Sequence, residues 1–501
     1  MSERLFAALA ALPDAQIVLS EPGRTLTAAA LRLDIEQLAQ RFQMHHARIV
    51  AVLADNSATW VVADLAAMHA GVVHLPLPGF FSDSQLRHAL EQTAADLLLT
   101  DQAARCIELD AGFNALGQWY GLTLLQREIA PAALPAGTAK ISFTSGSSGQ
   151  PKGVCLSAVG LVDTAAALCS SLADVAISRH LAVLPLALLL ENVAGVYAPL
   201  LRGATIMLPK MAELGWRGMG GFDPLQLQRQ VGEIQPDSVI LVPELLKAWA
   251  LALRALRQRA PASLKFVAVG GARCDIGLLE AAREVGLPVY EGYGMTECGS
   301  VVCLNRPSIN QASSNRPGSV GQPLPHVRLR VDADNEIHIE SRAFLGYLGV
   351  PSPASGPYAS GDLGHLDADG FLHLSGRRGN LIITAYGRNI APEWIEAALL
   401  AQPEIAQAVV VGEARASLSA LLVPQQADTD LTAAVARVNA GLPDYARIGG
   451  WLACAPFSPR NGLATGNGRP IRAAILRQYD AALESLYSAK EPAKEPADVV
   501  L

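Results

Sequence analysis

Charge is scarce in this chain: only 17% of its 501 residues are Asp, Glu, Lys or Arg, and the formal net charge is −7. An acidic balance excludes an electrostatic grip on nucleic acid or on anionic lipid. Aromatic residues are also few, at 5%, although half of the chain is hydrophobic. The apolar content therefore leans on Ala and Leu, which predicts a predominance of helices packed by small and aliphatic side chains and excludes a mainly disordered protein. Long hydrophobic runs are missing. The longest uncharged one, Leu181 to Leu190, stops at Glu191 and is too short to span a bilayer. At the start, Glu3 and Arg4 precede only a brief apolar run, which suits a first helix better than a secretion signal. The seven cysteines (Cys106, Cys155, Cys169, Cys274, Cys298, Cys303 and Cys454) contain no CxxC pair. Scattered and odd in number, they read as free thiols in a reducing cytoplasm. Cys298 and Cys303 lack His or Cys partners at zinc spacing, so no structural metal is expected there.

What is present is a rhythm. The runs Arg48 to Leu53, Val72 to Leu77 and Leu97 to Thr100 are β-like and separated by helical patterns, which predicts parallel βαβ units. The rhythm returns in the runs that begin at His180, Ala204, Ser238 and Lys265, each ending at Pro or Gly. Strands in such sheets hand over to ligand-binding loops at these ends. From Gly318 the texture changes: Val327 to Val331 and Glu336 to Glu340 alternate apolar and polar residues, as half-exposed antiparallel strands do. After Asn380 a helix near Pro392, strands over 406–412 and 419–423, and helices over 428–439 and 472–486 predict a small α+β unit. The tail repeats KEPA, is polar and proline-punctuated, and is expected to be disordered.

Four stretches carry chemistry. Ile141 to Val154 runs from a strand-like entry into Thr144, Ser145, Gly146, Ser147, Ser148 and Gly149, closed by Lys152. Glycines let backbone N–H groups approach a ligand, hydroxyls add donors and lysine adds a point charge, which together make a phosphate cradle. It is not the Walker pattern, since no Gly-Lys-Ser/Thr follows, and a flexible Ser/Gly linker is the bland alternative. In Tyr290 to Glu297, Thr296 and Glu297 pair a hydroxyl with a carboxylate, suited to Mg²⁺ and a phosphate oxygen; an ordinary turn with a solvated Glu competes with that reading. In Tyr358 to Gly364, Asp362 sits in a glycine-flanked turn where a carboxylate can accept from a ribose diol; an Asx turn is its alternative. Arg377, Arg378, Gly387 and Arg388 make the fourth stretch, with a basic domain linker as the alternative.

In combination these stretches resemble the adenylate-forming superfamily of acyl-CoA synthetases, peptide-synthetase adenylation domains and luciferases. The loop Thr144 to Gly153 is similar to its phosphate signature, Tyr293-Gly-Met-Thr-Glu297 to its Tyr-Gly-x-Thr-Glu, and Ser360-Gly-Asp362 to its Thr-Gly-Asp. Leu374 to Arg378 and Asn389 to Glu396 resemble its hinge and the segment after it, and Val269-Gly-Gly-Ala272 its adenine-binding turn. Leu184 to Asn192 and Asn461 to Thr465 are nearest in style to long-chain acyl-CoA synthetases.

The resemblance implies an α/β protein: a large N-terminal domain of layered αβ sheets with a small β subdomain (1–378), then a small mobile α+β lid (379–487) and the tail (488–501). It implies ATP, Mg²⁺ and a small carboxylic acid as ligands, with CoA or the phosphopantetheine of a carrier protein as acceptor. It assigns Lys152, Thr296, Glu297 and Arg469 to catalysis, Glu297 also to the metal. It assigns Thr144, Ser145, Gly146, Ser147, Ser148, Gly149, Gly270, Gly271, Ala272, Tyr293, Gly294, Thr296, Asp362, Arg377 and Gly387 to the nucleotide or thiol.

Three positions depart from the family's pattern. Arg469 stands where the adenylation lysine is usual, and no lysine occurs between Lys265 and Lys490. Asn380 replaces the hinge Asp or Lys, and Leu188 a histidine near the acyl site. Two alternatives therefore stand beside the acyl-CoA synthetase reading: a ligase that loads a separate acyl carrier protein, and a nucleotide-binding pseudoenzyme.

Overall fold

A computed structural model describes residues 3–109, 111–144, 151–217, 221–307, 314–350, 356–465 and 468–488. The chain divides into two compact units, Met1–Leu374 and Ser375–Leu501.

The first unit is built on two large sheets. One has eight strands in the order Phe344–Tyr347, Lys152–Ser157, Thr138–Thr144, Val73–Pro76, Ile49–Leu53, Leu97–Thr100, Leu122–Gln126 and Asn114–Trp119. Its central members pair in parallel, Ile49–Leu53 lying between Val73–Pro76 and Leu97–Thr100. Strand Ile49–Leu53 shows why these strands read as unbroken apolar runs. Val50 and Val52 face one core, with helices Ala28–Met44 and Ala58–Ala70, whereas Ile49, Ala51 and Leu53 face a second core with helix Asp83–Thr93. Both faces are buried, so the strand itself is apolar throughout, although the adjacent His74, opposite Val50, is buried against Asp64. Helix Ala58–Ala70 is punctuated at both ends: the Ser57 hydroxyl accepts from Trp60 N–H, and Gly71 closes it in the left-handed region.

The nine-stranded sheet runs in the order Gln322–Pro323, Ser300–Leu304, Val289–Met295, Phe266–Val269, Ser238–Leu241, Arg179–Leu181, Thr205–Met207, Ile17–Glu21 and Arg24–Thr27. A four-stranded sheet follows, in the order Arg328–Val331, Glu336–Glu340, Tyr358–Leu366 and Leu372–Arg377, and the division between the units falls inside its last strand. The second unit holds the pair Ile382–Ile383 and Asn389–Ile390, a three-stranded sheet (Ile405–Val411, Leu418–Pro424, Ile448–Ala453) and helices Pro392–Leu400, Leu431–Gly441 and Arg472–Ser488.

Two expectations are corrected. Helices do not dominate: twenty-six strands in five sheets accompany thirteen α-helices among the described residues. Leu and Ala fill buried strands such as Leu97–Thr100 and Leu418–Pro424 as readily as helices, because complete burial outweighs intrinsic propensity. Asp362 is not in a turn but inside strand Tyr358–Leu366, where pairing with Glu336–Glu340 is irregular and Gly361 has φ +72°.

The run Leu181 to Leu190 ends at a buried Glu191 whose Oε1 lies 2.9 Å from His180 Nε2 and whose Oε2 accepts from Leu184 N–H. Glu191 begins a π-helical turn, Glu191–Tyr197. Among the described residues no helix is long and apolar enough to cross a membrane. All seven cysteines are free thiols, six of them buried. The expected tail lies outside the described residues from 489 onward.

Candidate active site

The hairpin Thr138–Thr144 and Lys152–Ser157 places Thr144 directly opposite Lys152 across an antiparallel pair. The residues between them, including Ser145, Gly146, Ser147, Ser148 and Gly149, lie outside the described residues. Lys152 is exposed at the head of its strand, with Nζ 5.9 Å from the centre of the Tyr347 ring.

Tyr347 reaches the hairpin because its strand pairs antiparallel with Lys152–Ser157, Tyr347 opposite Val154. Its hydroxyl donates to Glu297 Oε1 at 2.9 Å and lies 2.8 Å from the Tyr358 hydroxyl. Thr296 and Glu297 open the 3₁₀ turn Thr296–Cys298 at the end of strand Val289–Met295. Both are half-buried. A hydroxyl and a carboxylate are hard oxygen donors of the kind Mg²⁺ prefers, so this turn fits the metal that the sequence implies. Gly294, just before it, cannot be another residue: an added Cβ would lie 1.6 Å from the Ser300 carbonyl oxygen. Close approach of two backbones forces glycine here.

Tyr293 and Asp362 meet, the Tyr293 hydroxyl donating to Asp362 Oδ2 at 2.7 Å. Burial, and then the neighbouring Asp362 carboxylate, push the Tyr293 hydroxyl well above its ordinary range, so it stays a donor at neutral pH. The strand irregularity at Gly361 is held from behind: Gly361 N–H donates to Glu336 Oε1 at 3.0 Å, and Asp362 N–H to the Ser360 hydroxyl at 3.1 Å. Gly270, Gly271 and Ala272 follow strand Phe266–Val269, which is parallel to Ser238–Leu241 and to Val289–Met295. Gly271 and Ala272 are exposed at this strand end, the position where α/β sheets receive ligands. Beside them Glu291 is buried, with Oε1 accepting from Cys274 N–H at 3.3 Å. Burial pushes its carboxyl up to about 7.

The first unit therefore joins Lys152, Glu297 and Tyr347 in one contact chain and Tyr293 with Asp362 in another. Sequence reasoning did not single out Tyr347, Glu336 and Glu291, which contact or adjoin the predicted residues. Each belongs to a strand whose alternation explains it as ordinary structure, and only tertiary pairing shows what its polar atom meets.

The remaining predicted residues belong to the second unit. Arg377 is exposed at the end of its strand. Gly387 lies between strands Ile382–Ile383 and Asn389–Ile390 with φ +72°, its N–H donating to Thr384 O, and an added Cβ would meet nothing within 4 Å. Arg469 is exposed at the close of a turn, its N–H donating to the Thr465 hydroxyl and its carbonyl accepting from Thr465 N–H. Asn380, the hinge departure, donates through Nδ2 to Glu393 Oε1 at 2.6 Å.

Two family models match the chain: AMP-binding enzyme over residues 5–348 and AMP-binding enzyme C-terminal domain over 379–491. A 2-succinylbenzoate–CoA ligase from Bacillus subtilis is 27% identical over 428 residues, covering 80% of this chain and 83% of that one. The long-chain-fatty-acid–CoA ligase FadD15 of Mycobacterium bovis is 28% identical over 439 residues, covering 74% and 72%. Among solved structures, the o-succinylbenzoate CoA synthetase of Bacillus subtilis in complex with its acyl-adenylate intermediate superposes with TM-score 0.74 at 24% identity, covering 94% of this chain and 97% of that one. That likeness shows the fold: a mixed α/β architecture with a large N-terminal and a small C-terminal domain.

Proposed function

Because the chain belongs to the AMP-binding enzyme family, we propose that it activates a carboxylic acid as an acyl-adenylate, releasing pyrophosphate from ATP, and then transfers the acyl group to CoA. One observation supports the reading above the others. The phosphate-loop lysine, the Thr296–Glu297 turn and the Tyr293–Asp362 pair, distant in sequence, lie in one unit, where Tyr347 stands between Lys152 and Glu297 and Tyr293 donates to Asp362.

In the first half-reaction a carboxylate oxygen of the acid attacks the α-phosphorus as the bond to pyrophosphate breaks. Lys152 carries positive charge to the departing phosphates. Thr296 and Glu297 would hold Mg²⁺, which would neutralise phosphate charge. Asp362, which accepts from Tyr293 through Oδ2, is the carboxylate that accepts from the ribose, the role that the family resemblance also gives Arg377. Gly270, Gly271 and Ala272 leave room for the adenine. Little covalent work falls to side chains, so positioning and charge neutralisation supply the acceleration. In the second half-reaction the C-terminal domain turns about its hinge, and the Gly387 turn makes way for the thiol.

The 2-succinylbenzoate and long-chain-fatty-acid ligases among its relatives support CoA as acceptor and make aryl and fatty acids the first to test. Seven free thiols support a cytoplasmic location. The domain limits proposed for the reaction are 1–378 and 379–487, the hinge lying between.

The test is pyrophosphate and AMP release across a panel of fatty, aryl and hydroxy acids, with CoA and acyl carrier proteins offered in turn. Acid-dependent pyrophosphate release followed by acyl-CoA is the expected result. Acyl transfer to carrier proteins alone replaces CoA as the acceptor. ADP release, or ATP binding with no turnover on any acid, overturns the adenylation reading, the latter in favour of a pseudoenzyme.

A further inference from the structure

Tyr347 stands where three of the site's stretches meet, and nothing in the reaction as derived above uses it. Its ring lies beneath the Lys152 ammonium at 5.9 Å, within the range of a cation–π contact. Its hydroxyl donates to Glu297 Oε1. That hydroxyl has one proton, and a carboxylate can only accept. The 2.8 Å contact with Tyr358 must therefore run the other way, Tyr358 O–H donating to the Tyr347 oxygen. The relay is consequently directional, from Tyr358 through Tyr347 to Glu297.

The pair is braced. Phe344 packs edge-on against both rings, at 5.1 Å from Tyr347 and 5.2 Å from Tyr358. Strand Phe344–Tyr347 is pinned to the phosphate-loop hairpin, and just beyond it Leu348 N–H donates to Gly153 O at 2.8 Å.

We propose that Tyr347 is a positioning residue for the metal-bearing carboxylate: aligned by Tyr358, its hydroxyl fixes Glu297 through Oε1 and leaves Oε2 for the cation, while its ring seats Lys152 beside the same phosphates. The inference rests on the reading of Glu297 as the metal ligand and of Lys152 as a phosphate cation. It adds that the two are held in a common frame by one side chain from a different strand. Free rotation of Glu297 would spread its charge over several positions; a fixed rotamer offers one, which is what an octahedral cation with a narrow geometric tolerance requires.

The experiment measures Mn²⁺ binding to the full chain in the presence of ATP by electron paramagnetic resonance. ATP binding without metal and the melting temperature are recorded in parallel. Tyr347→Phe keeps the ring and removes the hydroxyl. It is expected to weaken Mn²⁺ binding by about tenfold, the factor for one lost hydrogen bond to a charged group, while metal-free ATP binding and melting stay as in the parent. In turnover the half-saturating metal concentration rises by a similar factor. Tyr358→Phe, which removes only the aligning donor, should give the same pattern more weakly. Glu297→Gln separates the two layers of the argument. If it leaves Mn²⁺ binding unchanged, the metal assignment of Glu297 falls. If it weakens Mn²⁺ binding while both tyrosine variants bind Mn²⁺ like the parent, the positioning role of Tyr347 is overturned. Equal losses in metal-free ATP binding and in Mn²⁺ binding also overturn it, since they mark a merely structural tyrosine.

Discussion

The two units differ in how much charge they bury, although the second also ties Glu396 to Arg472 and to Val410 N–H. In the first, polar side chains are drawn inside and tied to one another. Asp64, fully buried, has Lys140 Nζ at 2.8 Å and His74 Nδ1 at 2.7 Å from Oδ1, and accepts from Asn192 and Tyr197 at Oδ2. In the second unit the predicted site residues Arg377, Gly387 and Arg469 are all exposed, two of them on turns. The first unit thus brings several of its predicted site residues into contact with one another, whereas those of the second lie exposed at its surface.

The strongest way to break this comparison is to remove the buried cation. Burial pushes the Asp64 carboxyl up, but the charge of Lys140 and the hydrogen bonds from Lys140 and His74 outweigh it and hold the group well below the usual carboxylate range. Lys140 joins the strand that enters the phosphate loop to the π-helical turn Glu191–Tyr197, through the Asn192 amide oxygen and the Tyr197 hydroxyl. Lys140→Met leaves a buried carboxylate without its counter-charge, which costs about 3–5 kcal/mol. Urea unfolding should show that loss in the first unit's transition, and a change below about 1 kcal/mol would mean that the cluster is solvated or otherwise compensated.

A smaller effect is expected from Glu291. Its carboxyl is raised from 4.5 to about 7 in the folded protein. The folded state therefore keeps a proton that the unfolded chain has released. That stabilisation is fully present below about pH 4.5 and is lost as pH rises through about 7. At about 1.36 kcal/mol per unit of pKa, the loss between these limits is at most about 3 kcal/mol. Glu291→Gln should be less sensitive, so its melting temperature should gain on the parent's between about pH 5 and pH 8. Parallel melting curves across that range would show that Glu291 is ionised throughout.

The least disruptive change lies in the exposed unit. Arg469 replaces the compact ammonium of the family's lysine with a wider, planar guanidinium that keeps the charge but cannot occupy the same point. Loss of a well-placed charge from a transition state costs about 10²–10³ in rate, and a displaced charge contributes less. Arg469→Ala should slow pyrophosphate release by about tenfold and leave thioester formation from supplied acyl-adenylate unchanged, while Arg469→Lys should accelerate it. An alanine variant as fast as the parent would make Arg469 a bystander. Because the residue is exposed, its substitution should leave the melting temperature alone, in contrast to Lys140→Met.

Much of this organisation was legible before any coordinates. Strands Ile49–Leu53, Leu97–Thr100, Ser238–Leu241 and Ile405–Val411 were readable because burial on one or both faces leaves a local apolar signature. Asp362 and Thr296–Glu297, each explicable alone as an ordinary turn, could be selected because in combination with the other stretches they resemble the family's motifs. Tyr347 left no such trace. Phe344-Leu-Gly-Tyr347 is an unremarkable edge strand, and its partner Glu297 is fifty positions away in the chain.

The sequence by itself determined the alternation of strands and helices, the change to antiparallel texture after Gly318, and which residue types stand ready for phosphate, metal and ribose. These are consequences of local periodicity and side-chain chemistry, which each short segment carries alone. Only the tertiary structure decided that Tyr293 meets Asp362, that Tyr347 spans Glu297 and Lys152, and that Lys140 is sealed against Asp64 instead of standing in solvent. Those contacts depend on strand register and sheet order. Side chains far apart along the chain become neighbours only when the sheets have formed, so no window of sequence holds the information that pairs them.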